Sequence, residues 1–154
     1  MPAVSRKTRR GAYCAALLLL AVTPLPAASV DGRVVAVSDG QTIVALVDNR
    51  RVAVRIAGIS APTGAERHAI ASRQSLIALC GGEPARIDTQ GARPQDGEPA
   101  RVACNGVDAA SEQVRSGMAT VDPRSGARDA TLLRLEAGAR AARRGVWSGA
   151  ASAR

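Results

Sequence analysis

Residues 32–63, GRVVAVSDGQTIVALVDNRRVAVRIAGISAPT, decide how this chain folds. Val34, Val35 and Val37 are followed by Ile43, Val44, Leu46 and Val47, and Ser38-Asp39-Gly40-Gln41 separates the two runs. β-Branched clusters broken by a polar, Gly-containing turn read as two strands within 31–47. Asp48-Asn49-Arg50 is a second turn signal. Beyond it Val52, Val54 and Ile56 alternate with Ala53, Arg55 and Ala57. Successive side chains of a strand point to opposite faces, so inward valines leave Arg55 facing out. It then lies in solvent or lines a groove. Three strands joined by short turns make an antiparallel meander.

Working outward toward the C-terminus, 58–64 reads as a loop. Thr63-Gly64-Ala65-Glu66 has the spacing of a capping box, which predicts a helix running to Cys80-Gly81-Gly82. Ile70, Leu76 and Ile77 are its expected apolar side, with Arg67, Arg73 and Gln74 outside. Residues 84–88 and 100–104 are two further candidate strands, and 89–99, rich in Gly, Pro and polar residues, is a loop. A short helix is expected over 108–116, closed by Gly117. A longer one is expected over 127–144, with Leu132, Leu133, Leu135, Ala139 and Ala142 inward. Arg140, Arg143 and Arg144 suit its C-terminal dipole, and Gly145 stops it. The order is three strands, a helix, two strands and two helices. It predicts an α+β fold, an OB-fold five-stranded β-barrel capped by three helices. No internal repeat and no second domain is visible.

Toward the N-terminus, Arg6, Lys7, Arg9 and Arg10 precede an apolar run over 11–22, then Pro24, Pro26 and the small residues Ala27, Ala28 and Ser29. That is the layout of a secretory signal peptide over 1–28, and the apolar run is shorter than a spanning helix needs. An uncleaved anchor and a twin-arginine route through Arg9-Arg10 are weaker readings of the same segment. The expected domain is 29–148, with a disordered tail over 149–154, and the expected location is periplasmic or secreted. Taking the four leader cations from 21 leaves 17 Arg against 13 acids, so the net charge falls from +8 to +4. A modest basic excess suits a polyanionic partner and equally suits an ordinary solvated surface.

Of three Cys, Cys14 lies in the leader, leaving Cys80 and Cys104 as an even pair in an exported chain. Cys80 ends the first helix and Cys104 the last strand. If the two candidate strands between them pair antiparallel, the thiols meet, and a disulfide is expected. No CxxC or His-rich metal pattern is present, and the one His, His68, reads as a surface residue. Beyond the leader the only aromatic residue is Trp147, read as a packing anchor for the C-terminal end. The core must therefore be built from Val, Ile, Leu and Ala.

These segments together resemble the staphylococcal-nuclease (thermonuclease) family. Residues 32–63 look like its opening half: a strand, a DGDT turn, two strands and an R-[VIL]-x-[GL]-[IV]-D-[AT]-P-E segment. NGVDAASEQVRSGMA over 105–119 is similar to its DG-x-x-[VL]-N-x-x-[LM]-V-x-x-G-x-A helix, and ARAARRGVWS over 139–148 to its A-x-x-A-x-x-x-x-[LV]-W ending. The resemblance covers nearly all of the mature chain in the right order. It implies an OB-fold barrel and, where the catalytic residues survive, a calcium-dependent phosphodiesterase acting on DNA and RNA.

Such chemistry uses two Asp as calcium ligands, a Glu acting on the attacking water and two Arg on the phosphate. Here the positions of the second DGDT Asp, the D-[AT]-P-E Asp and its Glu hold Gln41, Ser60 and Thr63. The position of the second Arg falls on Gly97 in QDGEPARV, and only a slip in alignment recruits Arg93 or Arg101. Arg55 alone stands where the family has its first Arg. Calcium is a hard cation that needs carboxylate charge, and these neutral oxygens supply none. Neither Ser60 nor Thr63 has a neighbouring His to activate it. The expectation is a pseudo-nuclease with no cofactor, calcium entering only if activity survives. Arg50, Arg51 and Arg55 are the candidate phosphate contacts. Residues 117–124 lack the tyrosines the family places there, so any single-stranded nucleic acid would bind weakly. The alternatives are a binding or scaffolding role toward an exported protein partner or the cell envelope, or an altered nuclease using Arg55 with Asp39 and Asp96.

Overall fold

In a computed structural model, residues 28–89, 91 and 93–149 are described. The expected leader lies outside them except for Ala28, and the expected tail except for Gly149. Strand β1 spans Ala28–Asp39, β2 Thr42–Val47 and β3 Arg50–Ile56. The two-residue strand β4 (Ile59–Ser60) precedes helix α1 (Arg67–Cys80). Strands β5 (Pro84–Thr89), β6 (Pro99–Cys104) and β7 (Val107–Asp108) follow, then α2 (Ala109–Arg115), β8 (Thr120–Val121) and α3 (Ala130–Ala141).

The meander is formed as the alternation requires. In β2 every second residue is buried, and in β3 Val54 and Ile56 are buried while Arg55 is exposed. β1 is long enough to pair twice: 33–39 with β2 and 28–33 with β5. β5 pairs antiparallel with β6, and the start of β6 pairs in parallel with the end of β3, Arg55 opposite Pro99 and Ile56 opposite Ala100. That last pairing closes the five strands into a barrel, and α1, α2 and α3 cap it. The fold is the α+β, OB-type barrel expected from the element order.

Val34, Ile43, Val54, Ile56, Ile87 and Val102 fill the barrel, with Leu76 and Val114 entering from α1 and α2. Cys80 and Cys104 are fully buried and joined by a disulfide across a separation of 24 residues. It fastens the end of α1 to the end of β6.

Two helical expectations need correction. The capping box is not formed: α1 begins at Arg67 with Glu66 as its N-cap, and no side chain caps it. Gly64 has φ +91°, which carries Thr63 away from the helix axis before the first turn. The buried side of α1 is Ala69, Ser72, Leu76 and Cys80, and Ile70 and Ile77 are exposed at 50% and 43%. α3 is shorter than expected. It buries Leu132 and Ala139 with Leu135 packed beside them, while Leu133 and Ala142 are exposed. Trp147, in a single 3₁₀ turn after α3, is half-buried, and the Arg140 guanidinium lies 4.2 Å from its ring centroid. The anchor reading of Trp147 fits this contact.

Candidate functional site

The turn between β1 and β2 is built by Asp39, whose Oδ1 accepts the Gln41 N–H at 2.8 Å. The polypeptide folds back tightly because residue 40 is Gly: a methyl there would fall 1.8 Å from Ser72 Oγ and 2.7 Å from Ser72 Cβ. Behind the turn the buried Gln113 of α2 donates its Nε2 to the Gly40 carbonyl at 2.7 Å and to the Ser72 carbonyl at 3.1 Å. One side chain thus ties turn, α1 and α2 together. Ser72 Oγ and Gln113 Oε1 are buried beside it without a hydrogen-bond partner.

From this platform Gln41 reaches across the mouth of the barrel. Its carbonyl accepts the Ile56 N–H at 2.7 Å, and its side-chain Oε1 accepts the Ala61 N–H at 3.0 Å. Thr42 pairs with Arg55 in the β2–β3 ladder. Ser60 lies in β4, paired with Thr120 of β8, and is exposed, as is Thr63 in the loop that follows. The structure therefore gathers Gln41, Arg55 and the 59–61 segment at one end of the barrel. Arg55 is exposed and has no carboxylate partner among the described residues.

Gly97 is not at this cluster's centre in any chemical sense. It has φ +77° and uses its N–H on the Ala53 carbonyl at 2.8 Å, a role in docking the 93–98 loop to β3. The two Arg that a shifted alignment would recruit are both engaged: Arg93 with Asp48 and Arg101 with Asp129, each at 3.6 Å. Asp39 and Asp96, the carboxylates of an altered site, each spend an oxygen on a backbone N–H, that of Gln41 and that of Ala53. Arg50 and Arg51 stand at the β2–β3 turn. Arg51 is four residues from Arg55, so about 13 Å separates them along the strand. The three arginines thus occupy two places rather than one. His68 is half-buried on α1.

As a calcium site the cluster is unsuitable. The oxygens at positions 41, 60 and 63 are neutral, and the Gln41 oxygen already accepts a backbone hydrogen bond. No group of three or more His, Cys, Asp or Glu placed to hold a metal occurs among the described residues. The one carboxyl with a resolved shift is Asp122, near β8. The Ser125 hydroxyl and then the Arg124 N–H hold it below the ordinary aspartate value. A cleft of about 380 Å³ opens beside the cluster, between Asp39, Pro62, Thr63 and the exposed Ile70 and Ile77 of α1.

What sequence reasoning missed is the support layer. Gln113 falls at the [LM] position of the 105–119 pattern, a polar residue where an apolar one is expected, and Ser72 was hidden behind the larger isoleucines on its helix.

No protein-family model matches the chain, and no curated protein matches it. Function has to be argued from the site itself. Among the described residues no helix is long and apolar enough to cross a membrane.

Proposed function

We propose that this chain is an exported, thermonuclease-like binding module that does not hydrolyse phosphodiesters, and that Arg55 offers a weak, sequence-indifferent contact to the phosphates of single-stranded nucleic acid. The observation that carries the reading is the Gln41 side chain, whose Oε1 accepts the Ala61 N–H. Where the resembling family holds a metal with a carboxylate, this chain uses a neutral amide to fasten one backbone segment to another. Without a divalent ion, charge developing on a pentavalent phosphate loses its main counter-charge, and one guanidinium does not replace it. Binding survives this change because a guanidinium attracts phosphate without any metal. The buried disulfide fits an oxidising compartment.

The test is fluorescence anisotropy with a labelled oligothymidylate over a salt series. Binding is expected at low salt and lost toward physiological salt. Arg55→Ala should weaken it and lower the salt slope by about one. Tight binding at physiological salt, or none at low salt, contradicts the reading.

A protein partner is the second reading, and one observation favours it: Ile70 and Ile77 expose two large apolar side chains on one helix beside the same cleft.

A further inference from the structure

The β2–β3 turn and the 93–98 loop enclose a second cleft, at the other end of β3 from the candidate site. Its volume is about 280 Å³. The turn is rigid: Asp48 and Asn49 have φ of 47° and 64°, the two-residue form that matches strand twist and that Asp and Asn tolerate. The opposite wall is fastened as well. β6 pairs with β3 only at Arg55 and Ile56, which leaves the Ala53 edge open. Asp96 Oδ1 and the Gly97 N–H take up the N–H and carbonyl of Ala53, each at 2.8 Å. Arg93 pairs with Asp48 at 3.6 Å and closes the far end.

Val47, Val52 and Pro94 give this cleft an apolar floor, and Arg50, Arg51 and Arg93 stand around it. Three cations against Asp48 and Asp96 leave a net charge of +1 (3 − 2). Both acids are committed, one to Arg93 and one to the Ala53 N–H. Arg50 and Arg51 have neither a hydrogen-bond nor a carboxylate partner among the described residues. Guanidinium forks match phosphate oxygens two at a time, and their flat faces stack on planar rings.

We infer that this cleft is a second anion site that takes a small organic phosphate monoester, its phosphate on Arg50, which shares a strand face with Val52, and on Arg93, and its planar or apolar body on Val47, Val52 and Pro94. A carboxylate engages one guanidinium fully, whereas a dianion has use for two. The apolar floor separates an organic monoester from free phosphate. The inference goes beyond the binding role of Arg55, because it needs neither that residue nor a polymer.

The test is a ¹H–¹⁵N correlation titration of the whole protein with phenyl phosphate, inorganic phosphate and benzoate. Phenyl phosphate is expected to shift the amides of 47–52 and 93–97 and to bind at least about fivefold tighter than the other two. Arg50→Gln should weaken it by about tenfold. The Arg50 side chain holds no other group among the described residues, so this variant is expected to keep its fold, and Arg134→Gln serves as an unchanged surface control. Binding should also weaken below the second phosphate ionisation near pH 6. Equal affinity for inorganic phosphate overturns the inference, as does an Arg50→Gln variant that binds like the parent. Shifts centred on Thr42, Arg55 and Ala61 also overturn it, while leaving the Arg55 reading intact.

Discussion

Ser72 and Gly40 meet at a distance that leaves no room for a side chain at position 40, and the contact explains why the turn carrying Gln41 is so firmly placed. A Cβ at position 40 would collide with the Ser72 side chain, including its Cβ, so shortening residue 72 alone does not make room. Gly40→Ala should destabilise the fold by about 3 kcal/mol or more, read as a fall in the urea midpoint. Ser72→Ala should be neutral or stabilising by about 1 kcal/mol, because it removes a buried hydroxyl that has no partner. The charge at the barrel mouth is a separate matter from its shape. Placing carboxylates there with Gln41→Asp, Ser60→Asp and Thr63→Glu together should produce calcium binding measurable by calorimetry, where the parent gives no heat. A silent triple variant would mean that the backbone at 59–63 does not bring the three carboxylates onto one ion.

Among the elements, the three-strand meander was legible because two β-branched runs flank a Gly-containing turn and Val52, Val54 and Ile56 then alternate with Ala53, Arg55 and Ala57 at period two. α1 was only half legible. Its large apolar residues suggested the buried side, yet the helix turns Ala69 and Ser72 inward, and at Ser72 the close approach to Gly40 admits nothing bulkier. The capping box failed for a local reason: Thr63 and Glu66 have the right spacing, but the φ of Gly64 breaks the chain direction between them. The strands β4, β7 and β8 have two residues each, too few for any periodic signal. The disulfide was legible through element order, since α1 leads directly into an antiparallel β5–β6 pair. Replacing both Cys80 and Cys104 by Ala should cost about 3 kcal/mol for a loop of this length. A variant with an unchanged thermal midpoint would show that the barrel holds that end without the cross-link.

For the molecule as a whole, the described core has no aromatic residue among its buried hydrophobics. Its largest fully buried side chains are Ile, Leu, Gln and Val, which leaves a thin core and gives the cross-link a large share of the stability. The positions of Gln41, Arg55 and Ser60 were readable from motif order, and the structure places them at one end of the barrel. The distance between Arg55 and the Arg50–Arg51 pair was readable only from strand length. The hold of Gln113 on Gly40 was not readable, because its place in the 105–119 pattern signals burial but not the partner its amide finds. The account rests on an OB-type barrel with Arg55 exposed at one end, without a carboxylate partner among the described residues, and with neutral side chains at 41, 60 and 63. The most direct test is a cleavage assay of the purified protein on single-stranded DNA and RNA, with calcium and in parallel with a chelator. The account expects no turnover in either condition. Calcium-dependent cleavage would contradict it and would locate a metal site outside the Gln41, Ser60 and Thr63 positions.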